Sequence, residues 1–129
     1  MTYVLDTHAL IWLMVGDSRL GTTAHDVLSS RSDQQVIPAI VLAEISFLFQ
    51  RRRIQVSFPA ALAYLLAAPN TKIFPLDEAV VERLPGVLNI HDGIIVATAL
   101  LIRDTLGEDV TIITKDREIV QSGLVKTVW

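Results

Sequence analysis

Apolar runs of four or five residues alternate with helix-patterned segments along the whole chain, and this alternation restricts the fold more than any other feature. "TYVL" (2–5), "VIPAI" (36–40), "KIFPL" (72–76), "VTIIT" (110–114) and "VKTVW" (125–129) read as strands. "HALIWLMVG" (8–16) reads as a short helix stopped by Gly16, and "TTAHDVLSSRS" (22–32) as an exposed amphipathic helix. "VLAEISFLFQRRR" (41–53) is a helix ending in arginines, and "FPAALAYLLAAP" (58–69) an apolar helix bracketed by prolines. "DEAVVERL" (77–84) has Asp77 as its N-cap, "DGIIVATALLIRDTLG" (92–107) ends at Gly107, and "DREIVQSG" (116–123) is short. Strands that alternate with helices imply a parallel sheet covered on both faces, closed by right-handed crossovers into a three-layer α/β/α sandwich. Sites in such sheets gather at the carboxyl ends of the strands.

The 129 residues suit one domain spanning 1–129. The absence of cysteine excludes disulfides and Cys-built zinc sites and is at ease in a reducing cytosol. A formal net charge of −3 argues against a broad nucleic-acid footprint, which leaves a local basic patch or an acid cluster neutralised by metal. The N-terminus lacks a signal-peptide pattern, and "SFPAALAYLLAAP" is too short to span a bilayer, so a cytoplasmic protein with no membrane contact is expected.

Four acids stand out against this frame. Asp6 and Asp116 each fall just past a strand, and Asp92 opens the long helix; each alone reads as a helix cap. Glu44 is the one charge in the apolar run from Val41 to Phe49. An all-round apolar helix is normally buried, so this carboxylate needs a partner: an ion pair with Arg103 or with an arginine at 51–53, or a metal. If the chain reverses direction between strands one and four, Asp6 and Asp116 face each other across the reversal, with Asp92 and Glu44 flanking it. Four carboxylates so placed raise one another's pKa, and a hard divalent cation with oxygen ligands, Mg²⁺ or Mn²⁺, relieves that repulsion. The chemistry indicated is phosphodiester hydrolysis.

"YVLDTHALIWL", "AIVLAEISFLFQRRRI", "NIHDGIIVATAL" and "VTIITKDREIVQSGLVKTVW" together resemble a PIN-domain ribonuclease of the VapC-like toxin group, in the same order and at similar spacing over nearly the whole chain. The resemblance implies a five-stranded parallel sheet in the order 3-2-1-4-5 and a metal-dependent endoribonuclease acting on RNA. It carries Asp6, Glu44, Asp92 and Asp116 onto the family's acidic positions and Thr7 and Thr114 onto its supporting hydroxyl positions. Asp6 and Asp92 are then expected as direct metal ligands, with Glu44 and Asp116 holding waters or completing a second site. The resemblance also implies a cognate antitoxin whose C-terminal segment blocks the cleft and whose DNA-binding part often represses the pair's operon. One departure stands: many relatives carry Arg directly after the acid matched by Asp92, where this chain has Gly93. It keeps open an alternative, a PIN-like binding module with weakened catalysis. A receiver-type phosphotransfer domain fits less well, because it needs a phosphorylatable Asp after the middle strand.

Other residues carry weaker expectations. Arg51, Arg52 and Arg53 are either a solvated helix end or contacts to RNA phosphates. The charge-free helix with Phe58, Leu62, Leu65 and Leu66 suggests a homodimer or antitoxin interface. His8 sits at the rim of the acid site, where a hard cation prefers oxygen. His25 and His91 are expected on solvated surface, and Trp12 and Trp129 as packing residues.

Overall fold

The five apolar runs form one parallel sheet in the order β3-β2-β1-β4-β5, in a computed structural model that describes residues 1–129. The strands are β1 (Thr2–Leu5), β2 (Gln34–Pro38), β3 (Thr71–Phe74), β4 (Val110–Ile113) and β5 (Lys126–Val128). Helices α1 (Thr7–Val15) and α2 (Thr22–Leu28) join β1 to β2, and α3 (Ala39–Gln50) and α4 (Phe58–Ala67) join β2 to β3. Helices α5 (Glu78–Val81) and α6 (Ile90–Leu106) lead to β4, and α7 (Arg117–Ser122) leads to β5. Each parallel step needs such a crossover, because a tight turn cannot return the chain in the same direction.

The chain builds outward from β1 through β2 to β3, then returns to the other side of β1 for β4 and β5. β1 and β4 therefore adjoin at the reversal, with Leu5 opposite Ile113. The ladder runs one step past both strands: the Asp6 N–H donates to the Ile113 carbonyl at 3.2 Å, and the Thr114 N–H to the Val128 carbonyl at 3.2 Å. Asp6 and Thr114 thus leave the sheet on fixed backbone. Beneath them Val4, Leu5, Ile37, Ile112 and Ile113 are fully buried, together with Leu10 of α1, Ile45 of α3 and Val96 of α6. Central parallel strands are covered on both faces, which is why every residue of β4, Thr111 included, is buried with no alternation.

Three helix readings need correction. α6 starts at Ile90 and not at Asp92; Asn89 is its N-cap, and its side-chain oxygen accepts from the Asp92 N–H at 3.0 Å. α3 stops at Gln50, so the arginines lie beyond it; Arg51 is the C-cap and Arg52 takes the left-handed conformation (φ 59°) that ends the helix. Nor is α3 buried all round: it buries Val41, Leu42 and Ile45, while Phe47 and Phe49 are exposed. Of the residues expected to form an open apolar face on α4, Phe58 and Leu66 are exposed, Leu62 is half-buried and Leu65 is buried; Tyr64 is exposed beside them. No helix is long and apolar enough to cross a membrane.

Candidate functional site

The acids converge because each is held by the start of a helix or by a face turned toward the reversal point. Asp6 caps α1, its Oδ1 accepting from the Ala9 N–H at 2.8 Å. Asp116 caps α7 in the same way, its Oδ1 accepting from Glu118 N–H at 2.9 Å and Ile119 N–H at 3.1 Å. The plain cap reading of both residues is therefore correct locally, and it also aims both carboxylates at one place. Asp92 lies in the first turn of α6, where Asn89 Nδ2 donates to its Oδ2 at 2.7 Å. Glu44 projects from the second turn of α3.

Asp6, Thr7, Glu44, Asp92 and Asp116 line a single cleft of about 420 Å³, together with His8, Trp12, Ile95, Lys115 and Trp129. Oxygens of Asp92, Asp116 and Glu118 lie within 4.8 Å of one another. Glu118 was missed in the sequence, where it is one more acid on a short exposed helix. Its place two residues after Asp116, in the first turn of α7, was the available signal. Thr114 is buried below the cleft, and its hydroxyl accepts from the Asp116 N–H at 3.0 Å.

The electrostatics show a strained acid group. Burial pushes the carboxyl of Asp6 above its ordinary pKa, partly offset by the Thr114 hydroxyl and the Ala9 N–H, with Asp116 adding repulsion. Burial also raises Glu44, against the pull of His91 and the Thr7 hydroxyl and with repulsion from Asp92. Asp92 is raised by burial first, then by Asp116 and Glu118, while Asn89 lowers it. The expected ion pair of Glu44 with an arginine does not form. Its neighbour is His91, with Nδ1 4.0 Å from Oε1, while Arg103 turns to Asp104 at 3.4 Å. The arginines at 51–53 lie about 10 Å or more farther along the axis of α3, at its far end.

The donor set fits a hard divalent cation. All the converging ligand atoms are carboxylate oxygens, none is within 4.0 Å of a lysine or arginine, and the buried Thr7 Oγ1 meets no hydrogen-bond partner in good geometry. Asp92, Asp116 and Glu118 are the acids whose oxygens are close enough to share one Mg²⁺ or Mn²⁺, while Asp6 and Glu44 line the same cleft outside that group.

Gly93 lies at a close approach of α6 to residues 84 and 85. It is buried in α6, and a Cβ there would lie 3.3 Å from Leu84 Cδ2 and 3.7 Å from the Pro85 carbonyl. A Cβ there would need Leu84 Cδ2, the end of a flexible side chain, to give by a few tenths of an ångström, while the Pro85 contact is ordinary.

Asn89 supplies a test of the site apart from its metal. Asn89→Ala removes both the helix cap and the bond to Asp92, and should lower stability by about 1 kcal/mol. Asn89→Ser keeps a capping oxygen but no N–H for Asp92, and should recover most of that loss while Mn²⁺ affinity stays about tenfold reduced. Thermal unfolding and Mn²⁺ titration read the two effects separately.

Taken together, the topology and the cleft define a parallel α/β domain with an acid-lined site at its strand reversal. The chain belongs to the PIN domain family, whose model matches residues 3–122. Its fold is that of chains in three solved assemblies. VapBC2 from Rickettsia felis, bound to a DNA fragment from the promoter, matches with TM-score 0.71 and 15% identity, covering 100% of this chain and 99% of that one. VapBC-1 from nontypeable Haemophilus influenzae matches at 0.64 and 19%, covering 99% and 97%. A toxin–antitoxin complex from Klebsiella pneumoniae matches at 0.66 and 21%, covering 98% and 96%. No curated protein matches the chain significantly.

Proposed function

We propose that residues 1–129 are a single PIN domain acting as a Mg²⁺- or Mn²⁺-dependent endoribonuclease, the toxin of a toxin–antitoxin pair. The observation that carries this reading is the convergence of Asp6, Glu44, Asp92 and Asp116 in one cleft, with three of them held above their ordinary pKa and none paired to lysine or arginine. A bound divalent cation supplies an activated water and stabilises charge on a phosphoryl oxygen. The chain's own residues do the positioning. The α1 and α7 caps fix Asp6 and Asp116, Asn89 orients Asp92, the Thr114 hydroxyl accepts from the Asp116 N–H, and the otherwise unpartnered Thr7 hydroxyl is available to Glu44. The membership of the family and the toxin–antitoxin assemblies among its structural neighbours support an antitoxin partner. Gly93 favours a second reading, a PIN-like binding module with weakened catalysis, and absence of cleavage with either ion would support it.

Purified protein should cleave single-stranded RNA with Mg²⁺ or Mn²⁺ and stop with EDTA. Equal cleavage in EDTA would reject the metal-dependent reading. Arg51, Arg52 and Arg53 extend the RNA-binding surface beyond the cleft in this reading. Replacing all three by Gln should weaken RNA binding and reduce its salt slope by up to about 3, one for each phosphate no longer neutralised. An unchanged slope would assign them to ending α3 alone. The exposed face of Phe58, Tyr64 and Leu66 is assigned to a second copy of the chain or to the antitoxin. A monomeric mass at every concentration would leave only the antitoxin.

A further inference from the structure

The cleft has a wall that the carboxylates do not explain. Trp12 of α1 and Trp129, which follows β5, meet edge to face with centroids 5.6 Å apart and planes at 72°. The Lys115 ammonium lies 4.7 Å from the Trp12 centroid and 5.6 Å from that of Trp129. All three residues line the same cleft as the acids.

The members of this wall are not equivalent. Trp12 is 7% exposed and belongs to the core, whereas Trp129 is half-buried and keeps surface toward the cleft. Arg19 also lies over Trp12, at 4.8 Å, but its guanidinium is committed to Asp17 at 2.8–3.2 Å and holds that carboxyl down at about 2. Lys115 is exposed and has no carboxylate within 4.0 Å, although acids surround the cleft. Its ammonium rests on the indole rings with no ion pair, although Asp17 feels its charge from beyond 4.0 Å. Trp129 is seated with little tolerance: a Cβ on Gly21 would fall 2.5 Å from its backbone carbon and 2.6 Å from Cδ1. The chain thus leaves a cation and an aromatic surface side by side at the mouth of the acid site.

An uncommitted cation beside an aromatic platform is the combination that holds single-stranded nucleic acid, the cation taking backbone charge and the ring taking a base by stacking. We propose that Trp129 and Lys115 form a nucleotide subsite: Trp129 stacks an unpaired base next to the scissile phosphate, and Lys115 contacts the adjoining phosphate. This deepens the ribonuclease reading and rests on it. The subsite takes only an unpaired base, because a base locked in a helix cannot reach the ring. It also gives the acid cleft a protein cation for the negatively charged backbone.

The test is cleavage kinetics in Mg²⁺ on a single-stranded oligoribonucleotide and on versions with one abasic residue walked through the sequence. In the wild type, an abasic residue at one position flanking the cut should raise KM about tenfold with kcat little changed. Trp129→Leu should raise KM by a similar factor and should lose sensitivity to that one abasic position. Trp129→Phe, which keeps a stacking face, should restore most of both effects and guards against a folding defect. Lys115→Gln should raise KM and reduce its salt slope by about 1. Wild-type KM in Trp129→Leu, or an abasic penalty that multiplies with it at every position, overturns the subsite while the ribonuclease reading stands. Failure of the wild-type protein to cleave any RNA overturns both.

Discussion

Asp6→Asn should reduce RNA cleavage by at least about a hundredfold, the upper range for losing even an outer support of a metal site, and should make the metal-free protein more stable at neutral pH. The substitution separates charge from structure. Asparagine caps helices as well as aspartate, so the bond accepted from the Ala9 N–H can be kept and α1 still begins correctly. What disappears is the buried negative charge. Burial raises the pKa of Asp6 in the folded state, so between the ordinary value of 3.8 and the raised one the folded protein binds more protons than the unfolded chain. Stability therefore falls as pH rises through that window, and the deficit persists above it. Asn at this position carries no such deficit. The melting temperature of the variant should exceed that of the wild type at pH 7 without metal, and the two should converge below pH 3.8. Saturating Mg²⁺ or Mn²⁺ should reverse the order by stabilising the wild type, by about 2.7 kcal/mol at a hundred times its Kd. Calorimetry with and without EDTA reads this independently of activity. Wild-type cleavage by the variant, or a wild-type melting point indifferent to both ions, would remove Asp6 from the metal site.

Leu5→Ala should be the most damaging single truncation near the site. Leu5 is fully buried at the end of the central strand, directly before Asp6 and opposite Ile113. Removing its side chain loses buried apolar surface and leaves a cavity among neighbours that cannot collapse freely, a cost of about 2–5 kcal/mol. For a domain of this size that corresponds to a drop in Tm of about 10 °C or more, a large share of a total stability of about 5–15 kcal/mol. Thermal unfolding by circular dichroism measures it. A shift of only a degree or two would mean that β1 repacks around the loss. The two variants act in opposite directions on stability although their positions are adjacent, one supplying apolar burial and the other a charge the core resists.

The sequence made the alternating α/β architecture readable because buried parallel strands leave short apolar runs, and Asp6 and Asp116 were readable because they fall within three residues of the ends of such runs. The strand order was not contained in that pattern; it came with the family resemblance, and the sheet has that order. Glu44 stood out as a lone charge, but its surroundings were misread. Apolar residues on every side of α3 suggested complete burial and an arginine partner, whereas Ala43, Phe47 and Phe49 face outward and the neighbour is His91. Asp92 looked like a cap because it precedes an apolar helix; the true cap is Asn89, which also bonds the Asp92 carboxylate. Trp12 and Trp129 looked like packing, and nothing in their separate neighbourhoods indicates that they meet over Lys115 at the cleft.

The double duty of Asp6 and Asp116 has a consequence for how such a protein would decay. Each carboxylate begins a helix as well as facing the cleft, so substitution by alanine would leave backbone donors unserved, while asparagine or serine would spare them. A lineage released from selection for cutting but still required to occupy its partner should therefore accumulate amides and hydroxyls at these two positions before it accumulates small apolar residues. Such descendants would be folded, silent decoys.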